Sequence, residues 1–257
     1  MLMACGAPVE PPSEAPRGTP GPGDGDGDGL NDQYEASLAR EYLPYLSDHP
    51  DDECGLSGLV YRVRPHPADP ALVAIVHVRV YHDDCGLNGH LGDDEVFGMT
   101  IDPRIPGPAG IVAMVAIGHQ DTLCEQVTAC GACPGQAACA TATRSGQAVP
   151  VVFASKHKHA NYVLADSCSL TACLDRCALA EAPGEIPMIN AGEPGFPLVE
   201  DLTDHGFITA DNGWTHPELM HLNPWDRSRK VGGGATGTVA VRLVDPRFVA
   251  AACSLPR

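Results

Sequence analysis

Between Tyr81 and Glu95 the chain reads Y-H-D-D-C-G-L-N-G-H-L-G-D-D-E, five acidic residues and two histidines in fifteen positions. Carboxylate oxygens and imidazole nitrogens at this density are ligands for a divalent cation. Asp93 and Glu95 lie two apart, which on a strand puts both carboxylates on one face. Phe97 and Met99 continue that face, so the carboxylates would point towards a packed interior or a cleft, where they need a cation or hydrogen bonds. His90 joins them if Leu91 and Gly92 bend, and glycine permits the bend. Asp83 or Asp84 would close the shell. The plain alternative is a solvated acidic loop.

A second set of oxygens lies upstream, in D-G-D-G-D-G-L-N-D-Q-Y-E, Asp24 to Glu35. With Asp24 in the first position, ligands fall at Asp24, Asp26, Asp28, Asp32 and Glu35, with Gly29 at the sharp turn. That is the calcium-loop spacing of an EF-hand, so calcium is the expected cofactor of 24–35. The Gly- and Pro-rich sequence before it cannot supply an entering helix. The unit therefore resembles the half-hands of dockerins or the repeats of thrombospondin type three, and its expected job is to stiffen a junction.

The elements that must position these groups are mostly strands. Gly58–Arg64, Ala71–Tyr81, Glu95–Ile101, Val112–His119, the start of Val151–Tyr162 and Gly237–Val244 are rich in β-branched residues or alternate. One helix is expected from about Asn31 to Leu43, stopped by Pro44, with Leu38, Tyr42 and Leu46 sharing a docking face. Glu125–Ala148 and Ala178–Pro197 read as long loops. Histidines end two strands: His119, on the face of Ile111, Ala113, Val115 and Ile117, and the pair His157 and His159.

Three blocks occur in an order known from two families. G-H-L-G-D-D-E (Gly89 to Glu95) resembles the G-H-x-x-D-W-E heptapeptide of the necrosis-inducing, Nep-like proteins and the G-x-H-x-G-D-W-E stretch of vacuolar protein sorting sixty-two domains. V-A-M-V-A-I-G-H and V-V-F-A-S-K-H-K-H-A-N-Y look like the later strands of both families, and L-A-R-E-Y-L-P looks like the opening of the second. The resemblance implies an antiparallel β-sandwich with one N-terminal helix. It also implies a divalent cation held by His90, Asp93 and Glu95 with Asp84 or Asp83; carboxylates with imidazole suit magnesium, manganese or calcium, with zinc possible. His119 and His159 become candidates for steadying the ligands or for general acid–base work. Asp94 stands where both families carry Trp, and Gly92 where the Nep-like motif carries a basic residue. These departures leave the ligand set intact but not the toxin motif.

Composition bounds the rest. A chain of 257 residues with net charge −17 repels nucleic acid and anionic membranes alike. No apolar run reaches the length of a membrane helix. Leu2-Met3-Ala4-Cys5 fits the L-x-A-C pattern at which bacterial lipoproteins are lipidated on Cys5, and the Gly-, Pro- and Asp-rich stretch from Gly6 to Gly29 reads as a disordered tether. The expected division is tether 1–23, calcium loop 24–35 and β-sandwich 36–257. Of the eleven cysteines, ten remain after Cys5, enough for five disulfides of an exported domain. Zinc at Cys130-x-x-Cys133 is the rival reading. Trp214, His216, His221 and Trp225 show no usable spacing. The sequence thus leads to a monomeric, extracytoplasmic protein, on the membrane only through a lipid anchor. It would recognise an oxygen-rich head group or glycan through its cation; a metal-dependent hydrolase and a purely structural surface domain are the alternatives.

Overall fold

A computed structural model describes residues 18–202, apart from 68, 88, 121, 133–135, 170–172, 181–183, 200 and 201, together with Val239 and Leu243. The chain enters helix α1 (Asp32–Glu41) through Asn31, whose side chain accepts from the amides of Gln33 and Tyr34. Asp32 and Glu35 occupy the first turn and Arg40 the last, each matching the helix dipole. Then follow β1 (Tyr45–Ser47), β2 (Leu56–Pro65), β3 (Val73–Asp83), β4 (Leu91–Ile101), β5 (Ile111–Gly118), β6 (Gln126–Gly131), β7 (Thr141–Arg144), β8 (Gln147–Ala154) and β9 (Asn161–Tyr162). A short helix α2 (Ala165–Cys168) leads to β10 (Met188–Asn190), β11 (Gly192–Glu193) and β12 (Phe196–Pro197).

The fold is mainly β. A six-stranded sheet runs β10-β2-β3-β4-β5-β6, antiparallel except where β10 pairs in parallel with β2. A smaller sheet runs β1-β8-β7, with β9 also on β8, and β11 and β12 form a hairpin. The large sheet is the middle layer. On one face, rows such as Val63, Ile75, Met99 and Met114 pack against Leu38, Ala39 and Tyr42 of α1, Leu46 of β1 and Val152 of β8. On the other, Val60, Val76, Val78, Val80, Val96, Val115 and Ile117 are covered by Ala191, Val199, Leu202, Val239 and Leu243. Burial on both faces explains why β5 reads as an unbroken apolar run and β3 as one interrupted by His77 and Arg79.

Tertiary pairing changes several expectations. The strand expected at Gly237–Val244 is not found at its two described positions: Val239 and Leu243 are helical, and both pack against Gly98. The loops expected at Glu125–Ala148 and Ala178–Pro197 carry β6, β7, β10, β11 and β12, short elements that exist because they find partners. Val151–Tyr162 is not one strand but folds back at Ser155, so that Phe153 faces Tyr162 and Ala154 faces Asn161. Residues 18–29 of the expected tether are structured, with the Gly18 amide donating to Gly27 O and Gly21 bridged to Asp24.

Among the described residues, four disulfides join Cys54 to Cys85, Cys124 to Cys173, Cys130 to Cys139 and Cys168 to Cys177. They fit an extracytoplasmic location. Cys130 is consumed by Cys139 and is no zinc ligand; Cys5, Cys133, Cys253 and the tryptophans lie outside the described residues. Among the described residues, no helix is long and apolar enough to cross a membrane.

Gly98 is where the middle sheet meets the helical residues: a Cβ there would lie 2.6 Å from Val239 Cγ1 and 2.7 Å from Leu243 Cδ1. Gly98→Ala is expected to destabilise by ~1–3 kcal/mol in urea denaturation. Gly55→Ala, with open space around it, should leave the midpoint nearly unchanged.

Candidate cation sites

The 24–35 loop closes on itself. The Gly29 amide donates to Asp24 Oδ2 at 3.1 Å, the Leu30 amide to Asp28 Oδ1 at 2.7 Å and the Gly25 amide to Asp32 Oδ1 at 3.0 Å. Gly29 has φ +97, the left-handed turn that places these amides inward. Asp26, Asp28 and Glu35 each bring one oxygen within 4.8 Å of the others, and Asp24, Asp26 and Asp32 do the same. Asp26 and Glu35 are fully buried. Buried oxygens of Asp24, Asp26, Asp28 and Glu35 have no hydrogen-bond partner. Burial first, then the carboxylates around it, pushes Asp26 up to about 7 and Glu35 up to about 9, while burial raises Asp28 to about 6 against a lowering backbone hydrogen bond. Mutually repelling, unpartnered oxygens on a closed loop fit a calcium ion.

The second cluster lies at one end of the sandwich, on the face of the large sheet that meets β8 and β9. Register puts Arg79 opposite Glu95 and Tyr81 opposite Asp93 on that face. Arg79, with no exposed surface, donates to Asp48 Oδ1 at 2.8 Å and to Asn161 Oδ1 at 3.1 Å. Tyr81 donates its hydroxyl to the same Asp48 oxygen and stacks its ring 3.7 Å from that of His159.

His159 is fully buried between two carboxylates. Its Nδ1 lies 2.8 Å from Asp93 Oδ2, and its Nε2 3.5 Å from Asp52 Oδ2. Burial alone would lower its affinity for a proton, but hydrogen bonds and charge from Asp52 and Asp93 outweigh burial and bring it up to about 9. Burial likewise opposes the charge of Asp52, yet His159 and the amides of His157 and Cys54 bring it down to about 2. At neutral pH His159 is thus an imidazolium that holds two carboxylates.

The loop between β3 and β4 is tied by reciprocal backbone bonds between Asp84 and His90 and by the Cys54–Cys85 disulfide. Asp84 Oδ2 takes the Lys158 ammonium at 2.6 Å. Gly92 has φ +70 and supplies the bend expected from the sequence. His90 is half-exposed, with Nδ1 2.7 Å from Gly92 O and Nε2 3.8 Å from Asp84 Oδ2. Glu95 is half-buried; its carboxyl is pushed well above the usual range by burial first and then by Asp93, Asp94, Asp175 and Asp84. The acidic residues expected to act together therefore share one end, but among the described residues Asp84, His90, Asp93 and Glu95 do not close into one compact shell. Asp93 and Glu95 lie on one face of β4, with His159 bonded to Asp93, and Asp84 faces His90. Lys158 is the cation that an ion at Asp84 would displace. Two triads formed with Cys54 hold no ion through sulfur, because that sulfur is bonded to Cys85.

His119 follows β5 with φ +54, a left-handed backbone that overrides the alternation placing it with Ile117. Its Nε2 lies 2.6 Å from Asp175 Oδ2, which also accepts from the Tyr162 hydroxyl. His157 and His159 have φ +67 and +52 and sit in the β8–β9 turn, not on one side of a strand. Three histidines in a conformation that disfavours side chains sit beside one acidic cluster, as backbone strain tends to at functional sites. Asp48, Asp52, Asp175 and Lys158 were not found from sequence, where nothing marks them. Arg79 had a signal: a charge inside an apolar strand.

No family model matches the chain, and no curated protein matches it. A solved structure described as "Toxin fold for microbial attack and plant defense" is similar at 13% identity, covering 61% of this chain and 73% of its own, with a TM-score of 0.31. At that level the similarity carries no correspondence between residues.

His159→Leu leaves Asp52 and Asp93 buried without their cation, an expected loss of ~3–5 kcal/mol in chemical denaturation. The folded-state value near 9 lies above the ordinary ~6.5 of imidazole. The stabilisation is therefore complete below about pH 6.5 and declines as pH rises through about 9. The stability gap between parent and variant should be wider at pH 6 than at pH 9.5; an equal gap would show that the imidazolium contributes nothing.

Proposed function

We propose that this chain is an extracytoplasmic, calcium-stabilised β-sandwich that uses the acidic end of the sandwich for recognition, with a divalent cation bridging Asp93 and Glu95 to an oxygen-rich head group or glycan. The carrying observation is the imbalance of charge there. Asp93, Asp94, Asp175 and Asp84 all act on Glu95, while His159 is bonded to Asp93, Lys158 to Asp84 and His119 to Asp175. Carboxylates so crowded attract a hard cation, and a cation bound at the partly buried Glu95 keeps sites open for ligand oxygens. The Asp93 carboxylate is steadied by His159, the kind of outer partner that orients metal ligands. Lipid attachment at Cys5 belongs to the same proposal and would set the domain at a cell surface as a monomer.

Calcium in the 24–35 loop is the structural part of this reading, with Asp24, Asp26, Asp28 and Glu35 as carboxylate ligands and Asp32 bracing the loop through Gly25. The hydrolase reading draws support from the His119–Asp175 pair, since His119 keeps a little exposure and has a carboxylate to orient it. His159, buried and charged, is the weaker acid–base candidate and the better positioning group.

Removing calcium with a chelator should lower the melting temperature. Adding it back at a hundred times its dissociation constant should restore about 2.7 kcal/mol, an effect absent from Asp26→Asn. For recognition, the full chain is tested against glycan arrays and vesicles, with and without divalent ions. Capture that needs the ion and is lost in Asp93→Ala/Glu95→Ala, while calcium stabilisation persists, is the expected result. Turnover of an ester, phosphodiester or glycan that depends on His119 would favour the hydrolase instead.

A further inference from the structure

The 24–35 loop does not stand alone. A Cβ built on Gly192 would lie 3.1 Å from Asp26 Cβ, and one built on Gly25 would lie 2.7 Å from Leu198 Cδ2, so the β11–β12 hairpin presses directly on the loop. From the same stretch Asn190 donates its side-chain amide to Glu35 Oε2 at 2.6 Å. Glu193, on β11, is nearly fully buried, and its Oε1 has no hydrogen bond. Its charge acts on both Asp26 and Asp28. The positive group at Glu193 is the Arg62 guanidinium, with Nε 3.6 Å from Oε1. A single guanidinium does not balance Glu193 together with Asp26, Asp28 and Glu35 in so buried a region.

We propose that Glu193 is a further carboxylate of the 24–35 cation site, so that the ion clasps the N-terminal loop and helix α1 to the hairpin and strand that close the edge of the large sheet. The proposal rests on the calcium reading of the loop and adds to it a ligand group far away in sequence. It gives the ion a task different from stiffening a tether. Strand β10 pairs with β2 over only three residues, Met188 to Asn190, and Ala191 continues with a bond to Tyr61 O. So short a parallel edge holds weakly by itself. Asn190, its last residue, donates to Glu35, and Glu193 just beyond it acts through its charge on Asp26 and Asp28. With the ion in place, N-terminal and C-terminal parts of the described fold share one shell of oxygens, the hard-donor environment calcium prefers. Without it, the carboxylates of the two parts repel.

The test is calcium titration by calorimetry on the full chain, with hydrogen exchange of 188–199 in calcium and in chelator. Glu193→Gln should weaken calcium binding about tenfold or more, and chelation should speed exchange at the β10–β11 amides of the parent. Arg62→Gln separates this from an ion-pair role: with a competing positive charge removed, calcium should bind as tightly or more tightly. Equal affinity in parent and Glu193→Gln, with exchange of 188–193 indifferent to calcium, overturns the clasp while leaving the loop a calcium site. Equal weakening in Glu193→Gln and Arg62→Gln also overturns it, assigning Glu193 to Arg62. A parent that binds no calcium at all removes both the clasp and the reading beneath it. Melting curves in saturating calcium establish that each variant is folded.

Discussion

Buried negative charge must be matched, and most of the arrangement at both acidic clusters follows from that constraint. A carboxylate taken out of water costs several kcal/mol unless a cation or donors replace the lost hydration. Arg79 meets Asp48 and Asn161, His159 stands between Asp52 and Asp93, and Lys158 reaches Asp84. Each pairing is made across elements far apart in sequence, so the charges do not merely decorate the fold. They fix how the β8–β9 turn sits on β3 and β4.

The middle sheet makes such pairings possible. Because β3 and β4 are covered on both faces, their alternation sends one row of side chains to each layer, and the row facing the small sheet changes character along its length. Met99, Phe97 and Ile75 are apolar, and His77 stacks 4.9 Å from Phe97 with burial lowering it to about 3. Then Arg79, Tyr81, Glu95 and Asp93 turn the same row polar at its open end. A continuous strand can thus be core at one end and site at the other. The left-handed turns at His119 and His159 then direct imidazoles to a face that strict alternation would not give them.

The other cluster obeys the same constraint with fewer side-chain cations. In the loop from Asp24 to Glu35 the glycines let the chain coil tightly, the amides are satisfied by Asp24, Asp28 and Asp32, and the remaining oxygens converge without partners. Where the acidic end is offset by lysine, histidine and arginine, the loop has Asn190 and a distant Arg62. Such a donor set is the hard-oxygen chemistry that suits calcium, and it lies between the two ends of the described chain.

Local patterns sufficed for what local physics controls. The convergence of the Asp24–Glu35 carboxylates, the α1 docking face of Leu38, Tyr42 and Leu46, the strands β2, β3 and β5, the glycine bend before Asp93 and the abundance of disulfides were all readable in the sequence, because backbone propensity and side-chain period act over a few residues. Long-range contact decided the rest. Whether Val239 and Leu243 sit on a helix or a strand depended on the sheet they cover, since apolar residues four apart also occur in strands. The short strands β6, β7 and β10 exist only where an edge awaits them. Asp52, Asp175, Lys158 and Glu193 look like ordinary surface charges in the sequence. Folding buries most of them among opposite or like charges brought from elsewhere, and that environment, not the residue type, gives each its chemistry.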